Sequence, residues 1–304
     1  MGDHSGAISI FTEELRGPEG PVLLPDASWV VVEFAANPGC VTWISSDGSE
    51  KRVLADTGRP NGLAVDGSGA IWVAESHPSP AVLRMNLDGD VEVVATSSSE
   101  GPMLLPNDLC FGPNGHLFVT DSGVLFGEFA PDGKPRPDYQ DLTYDGAVLD
   151  LDPQEGTARQ IDSALGMMNG IAFGPDGLLY ANETFTGDVY SYRPMDDGSY
   201  GDRQTVANVL DPDLPAGYGP GGFRGPDGMA FGDDGLMYVS VFGQQEVTVV
   251  GTDGVIHNRL RTRGKFPTNV AFGPPGSHLL YVTEVEYGAM EAHRVDCDGL
   301  PLYT

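Results

Sequence analysis

Six polar residues stand at matching points of six repeated runs. They are Glu19 in Pro18-Glu19-Gly20, Asn61 in Pro60-Asn61-Gly62, Asn107 in Pro106-Asn107-Asp108, Asn169 in Met168-Asn169-Gly170, Asp227 in Pro226-Asp227-Gly228 and Thr268 in Pro267-Thr268-Asn269. Each opens a stretch of core-type residues. All six offer oxygen, from carboxylates, amides and one hydroxyl. Gathered at one point, such a set suits a hard divalent cation: Ca²⁺ first, with Mg²⁺ or Mn²⁺ as alternatives. Zn²⁺ prefers nitrogen and sulfur in structural sites, although carboxylates can hold it catalytically. Carboxylates aimed at one axis repel unless a cation or protons compensate. Taken singly, Pro-Asn-Gly and Pro-Asp-Gly are turn sequences, because Asn and Asp tolerate left-handed backbone and bond their own main chain. Turn propensity gives no reason for Glu19, and that favours a site.

The elements that would gather these residues are strands. Five of the six positions lead into apolar alternation, a turn such as Gly-Pro-Asp-Gly, and a second apolar run: Ala64 to Ala74, Cys110 to Thr120, Ala172 to Ala181, Ala230 to Ser240 and Ala271 to Thr283. Repeats of this kind predict a β-propeller. The expected fold is all-β, with six blades of four antiparallel strands over one domain, residues 1–304. In the third repeat the inner strands should be Asp108–Gly112 and His116–Asp121. Outer strands should include Ala81–Asn86 with Val91–Thr96, and Asp188–Arg193 with Gln204–Asn208. The last repeat offers only Thr268–Phe272, Leu279–Glu284 and Glu291–Val295. The N-terminal run Ala7–Phe11 should supply its fourth strand and leave no free edge there.

Spacing between the six positions is uneven, widest after Asn107 and after Asn169. The excess falls at Gly123–Asp145 and Asp211–Gly225. Both connections should emerge on the face where the innermost strands begin, and long loops over a rigid scaffold usually serve binding. A second tier of acids ends each second strand: Glu33, Glu75, Asp121, Glu183 and Glu284, with Val241 as the exception. Of these, Asp121 is the candidate for contact with a substrate, because it shares a repeat with Asn107 and precedes the long loop. Arg224, three residues before Asp227, is a candidate to contact substrate or pair with a ring acid. His77 follows its strand on the same face and reads as an ordinary loop histidine.

Composition narrows the partners. The net charge is −28, from 16 basic and 44 acidic residues. Such a surface repels nucleic acid and anionic membranes, which need clustered Lys and Arg. It also raises the local concentration of cations. The start, Met1-Gly-Asp-His-Ser-Gly, lacks the basic and apolar regions of a signal peptide, and no apolar run approaches a membrane span. Cys40, Cys110 and Cys297 have neither metal-type nor redox-motif spacing. A cytoplasmic monomer or small homo-oligomer is the expectation. There is no phosphate loop, dinucleotide fingerprint, serine nucleophile elbow or zinc motif.

With these residues in place, the chain resembles the SMP-30/gluconolactonase/luciferin-regenerating enzyme family of six-bladed propellers. The resemblance rests on Gly17-Pro-Glu-Gly-Pro, Leu105-Pro-Asn-Asp, Met168-Asn-Gly, Pro226-Asp-Gly-Met, Pro267-Thr-Asn-Val-Ala-Phe-Gly and Tyr281-Val-Thr, nearly the whole chain. It implies one divalent cation held by Glu19, Asn169 and Asp227, with Asn107 near it. Some members carry a substrate-binding arginine two residues before that Asn, where this chain has Leu105. The implied activity is hydrolysis of a small lactone, the cation polarising the carbonyl and Asp227 acting as ligand and general base. Asn107 and Asp121 would position substrate hydroxyls. A protein-binding propeller of the NHL type would have no use for axial carboxylates. A phosphotriesterase-like or strictosidine-synthase-like enzyme would share the ring or funnel and differ in its loops.

Overall fold

The computed structural model describes residues 8–214 and 216–304. Six four-stranded antiparallel sheets form the blades of a propeller. With strands lettered A to D from the axis outward, blade 1 is Pro18–Leu23, Trp29–Glu33, Gly39–Ile44 and Lys51–Gly58. Blade 2 is Pro60–Val65, Ile71–Glu75, Ala81–Met85 and Val91–Ala95. Blade 3 is Pro106–Phe111, Leu117–Asp121, Gly146–Asp152 and Thr157–Leu165. Blade 4 is Met168–Phe173, Leu179–Glu183, Asp188–Tyr192 and Gln204–Asn208. Blade 5 is Gly225–Phe231, Leu236–Phe242, Glu246–Gly251 and Ile256–Arg261. Blade 6 takes Pro267–Phe272, Leu279–Glu284 and Ala289–Arg294 from the end of the chain and Ser9–Thr12 from its start.

That last pairing closes the ring, Ser9 lying opposite Ala292 and Ile10 opposite Glu291. The strand expected from Ala7 is therefore present from Ser9, and Ala7 and His4 lie outside the described residues. The A strands touch in cyclic order, blade 6 returning to blade 1. Strand A of blade 3 begins at Pro106 rather than Asp108 because Pro106 already pairs with Asp121. In blade 6 the third strand begins at Ala289 rather than Glu291, paired with Glu284.

Local chemistry explains the repeat. The A–B turns close with Gly69, Gly115, Gly177 and Gly235 donating to the carbonyls of Asp66, Gly112, Gly174 and Gly232. These closing glycines have φ of 76° to 85°, a region other residues enter only at a steric cost. The apolar residues that alternate along each strand fill the spaces between blades. Leu63, Val73 and Leu83 pack with Val30, Val32 and Val41 between blades 1 and 2. Phe118, Ile171, Phe173 and Ala181 do the same between blades 3 and 4. Burying each such side chain contributes roughly 1.5–3 kcal/mol, so the blades cohere face to face without a central core. The axis is left for polar groups.

Among the described residues, no helix is long and apolar enough to cross a membrane. The regular turns outside the blades include Phe126–Phe129, Tyr139–Asp141 and Pro220–Gly222, all in the two long connections.

Candidate active site

Every A strand slips register just where its ring residue sits. The shifts fall between Glu19 and Val22, Pro60 and Leu63, Pro106 and Leu109, Met168 and Ile171, Pro226 and Met229, and Pro267 and Val270. A bulge breaks the strict alternation of side chains, so the residue after the ring position also comes close to the axis. In four blades that residue is glycine, and the fit is tight. A Cβ on Gly62 would lie 2.2 Å from Asp108 Oδ1, one on Gly170 2.3 Å from the Asp227 carbonyl, and one on Gly228 1.9 Å from Asn269 Cγ. Blades 3 and 6, opposite one another, carry Asp108 and Asn269 instead. Asn269 Nδ2 donates to Asp108 Oδ2 across the axis at 3.4 Å. The remaining oxygens, Asp108 Oδ1 and Asn269 Oδ1, accept from the amides of Leu109 and Val270. These two side chains form a polar floor beside the ring.

The ring amides are held in one orientation. Asn107 Nδ2 donates to Ser122 Oγ at 3.0 Å, and Ser122 Oγ donates to the Met168 carbonyl of the next blade. Asn169 Nδ2 donates to Thr184 Oγ1 at 3.3 Å, and Thr184 donates to the Pro226 carbonyl. With their nitrogens committed outward, the amide oxygens are left for the axis. Thr120 and Asn182 bind the carbonyls of Asn169 and Asp227, fixing the backbone there. Thr268 is different: its hydroxyl donates to the Pro18 carbonyl, which ties blade 6 to blade 1. Asn61 is partly exposed beside Glu19's blade.

Two buried oxygens at the ring, Glu19 Oε2 and Asn169 Oδ1, accept no hydrogen bond from any described residue. Burying such atoms unpartnered costs about 1–3 kcal/mol each, and Glu19 is only 3% exposed. Burial, with Asp108 and Asp227 nearby, pushes the Glu19 carboxyl well above its ordinary value. Asp227 is likewise raised by burial and by Asp108, with Asn169 and Arg59 pulling it back. Burial raises Asp108 to about 7. Three acids thus crowd one axis and favour their neutral forms. A bound cation would reverse that preference, because it favours the ionised forms. The donor set is oxygen throughout, and the two orphaned oxygens belong to residues of that set, so the residues fit a hard divalent cation. No cluster of three or more His, Cys, Asp or Glu side chains arranged for a metal is found among the described residues; the set here mixes carboxylates with amides.

The second tier of acids is built differently. Asp121 accepts from the amides of Leu104, Leu105 and Gly123 at 2.8–2.9 Å. Glu33 accepts from Arg16 N, Glu75 from Arg59 N and His77 N, Glu183 from Gly166 N, and Glu284 from Phe266, Glu286 and Tyr287 N. These carboxylates brace the chain where it enters strand A. In blade 5, where the acid is absent, Gln244 Oε1 accepts from Asp211 N. Arg224 donates to the carbonyls of Asp211 and Leu214 in its own loop and to Gln244 in the turn after strand B of its blade. His77 is exposed, its ring 5.4 Å from that of Phe126.

The two long connections meet over the ring face. Val124, Phe129 and Tyr139 pack with Phe223, Leu105 and Met167, and with the partly buried Phe126, Phe185 and Phe242. Tyr139 and Phe223 meet edge to face at 5.3 Å. The result is an aromatic canopy reaching from Phe126, against Arg59, to Phe242, stacked on Phe266. Asp108, Asn269, Asn182 and Arg59 were not among the expected site residues. The bulge hid the first two, although the column Gly20, Gly62, Asp108, Gly170, Gly228, Asn269 carries a signal in its two polar exceptions.

Comparison with known proteins follows the same lines. Residues 78–286 match the model of the SMP-30/Gluconolactonase/LRE-like region. A gluconolactonase of Zymomonas mobilis subsp. mobilis is 23% identical over 295 residues, covering 91% of this chain and 79% of the relative. A 6-deoxy-6-sulfogluconolactonase of Pseudomonas putida is 30% identical over 139 residues, which is 45% of this chain and 44% of that protein. In structure, a gluconolactonase from Xanthomonas campestris superposes with a TM-score of 0.76 at 23% identity, covering 98% of this chain and 91% of the other. Regucalcin from Agrobacterium tumefaciens, a calcium-binding protein, gives 0.76 at 19%, over 98% of both chains.

Proposed function

Because the chain belongs to the SMP-30/gluconolactonase/LRE-like family, we propose that it hydrolyses a small sugar-type lactone with one divalent cation. The observation that carries the reading is the pair of orphaned oxygens, Glu19 Oε2 and Asn169 Oδ1, beside the Asp227 carboxylate. Glu19, Asn169 and Asp227 would hold the ion, Ca²⁺ by preference. When bound, the cation would polarise the lactone carbonyl and lower the pKa of a water. A carboxylate at Asp227 could both bind the ion and take a proton from water. Asn107 has its nitrogen fixed on Ser122, which leaves its oxygen to accept from a substrate hydroxyl. The canopy would limit the lactone's size and exclude bulk water. The names of the gluconolactonase and sulfogluconolactonase relatives support a sugar lactone.

The test is a panel of lactones assayed with protein stripped by chelator and then resupplied with single cations. Loss of hydrolysis on stripping and its return with Ca²⁺ are expected. Full turnover in the stripped protein would overturn the assignment.

A further inference from the structure

One level above the ring, the residues two positions before each ring residue form a collar: Gly17, Arg59, Leu105, Met167, Gly225 and Phe266. Arg59 is the one charge in it. Leu105 and Met167 are buried in the canopy cluster, and Phe266 stacks on Phe242. Arg59 is held flat. Its guanidinium carbon lies 4.7 Å from the centre of the Phe34 ring and 4.0 Å from that of Phe126. Nη1 donates to Ser76 Oγ at 3.1 Å, and that hydroxyl is itself fixed on the Arg59 carbonyl. Among the described residues, Nε and Nη2 donate to no acceptor and no carboxylate stands within ion-pairing distance of the group.

We infer that Arg59 is a specificity-determining anchor for an oxoanion carried on the substrate, at the end away from the ester carbonyl. The inference rests on the lactonase reading and names its substrate class: a sugar lactone bearing a carboxylate, sulfonate or phosphate. A guanidinium presents paired donors in a rigid plane that matches the oxygens of such groups. With Phe34 and Phe126 against the guanidinium, its free Nε and Nη2 are left to receive them. Burial already draws the guanidinium down to about 10 although Glu75, Glu19 and Asp227 lie close enough to stabilise its charge. A dication on Glu19 and Asp227 would claim two of those three carboxylates and leave the fork only Glu75, which already accepts the amides of Arg59 and His77. The chain as a whole, at −28, repels anions. One cation at the mouth therefore decides whether a charged lactone can dock.

The experiment separates anchoring from turnover. Binding of methyl glucuronide and methyl glucoside, which have no lactone to open, is measured calorimetrically at saturating Ca²⁺. The parent protein should bind the glucuronide at least tenfold more tightly, and Arg59→Met should remove that preference. The 6-sulfo and 6-phospho glucosides, run in parallel, distinguish the three oxoanions by which shows the largest Arg59-dependent gain. Arg59→Lys keeps the charge without the fork, and should keep the order of preference but lose several-fold in it; it serves also if Arg59→Met does not fold. No preference in the parent, or one that survives both substitutions, would overturn the inference. So would equal changes for both sugars with a shift only in Ca²⁺ affinity, since Arg59 would then be a counter-charge for the ring. If no lactone is hydrolysed but the Arg59-dependent preference is found, the lactonase reading fails and the anchor stands.

Discussion

Two columns of acidic and amide residues run around the same six blades, a few residues apart, and they meet opposite fates. At the ends of the B strands, Glu33, Glu75, Asp121, Glu183 and Glu284 each accept backbone amides from the chain entering strand A. At the starts of the A strands, Glu19 and Asn169 keep a buried oxygen with no partner. Both columns are largely buried, both are repeated, and both look functional in sequence. The difference lies in what the oxygens touch. Each brace accepts at least one backbone amide, although Glu75 also keeps a buried Oε2 without a partner, whereas Glu19 Oε2 and Asn169 Oδ1 stand together in the ring, where one cation could meet both.

The largest expected effect tests the ring column. Asp227→Asn keeps an oxygen ligand but cannot accept a proton at neutral pH. With the cation saturating, its turnover should remain about 10²- to 10⁴-fold below the parent. Recovery to within a few-fold would make Asp227 a ligand only. The same ring should also stabilise the fold when filled. Cation at ~100 times its Kd should add about 2.7 kcal/mol, and a Glu19→Gln/Asp227→Asn double variant should show none of it by thermal melting. Undiminished cation binding in that variant would remove both residues from the site.

How much of this contrast could be read in the sequence depends on periodicity. The blades were legible because apolar alternation and turn glycines recur at fixed offsets. So was the closing strand, because the last repeat lacks one. The ring column was legible because polar residues interrupt core patterns. What alternation conceals is the bulge. In a regular strand Asp108 would turn away from the axis shared by Asn107, but the register slip brings it inward against Gly62 and across to Asn269. The brace column was legible as a column, and its meaning was not: only the amides of Leu104, Leu105 and Gly123 distinguish Asp121 from a substrate ligand. Nor did sequence say that Arg224 turns back on its own loop carbonyls.

The brace column is tested by a smaller effect. In Asp121→Asn the amide nitrogen would face a backbone N–H where a carboxylate oxygen accepts in the parent, leaving one buried donor unsatisfied at about 1–3 kcal/mol. For a chain of this size the melting temperature should fall by about 2–4 °C per kcal/mol. Cation affinity should be unchanged. A large loss of affinity with little loss of stability would move Asp121 from brace to site and dissolve the distinction between the columns.

The smallest expected effect is a slope, and it sharpens the contrast from the other side. Asp108 is held at about 7 in the fold, against an ordinary 3.8. Between those values the folded chain keeps a proton that the unfolded chain has released. Stability follows that difference in bound protons, so it should fall as pH rises from about 4 to 7 and then level off. Glu19 and Asp227, also raised, act in the same direction. The cation should flatten the slope, because it favours the ionised carboxylates. Asp108→Asn should remove part of it without cation, while leaving the carboxylates of the brace column untouched. Melting temperatures of chelated protein at pH 5 and pH 8, with and without Ca²⁺, measure the effect. A metal-free protein more stable at pH 8 than at pH 5, with the Asp108 variant behaving identically, would mean that the axial acids are already compensated within the chain. The ring would then be a second set of braces and no site.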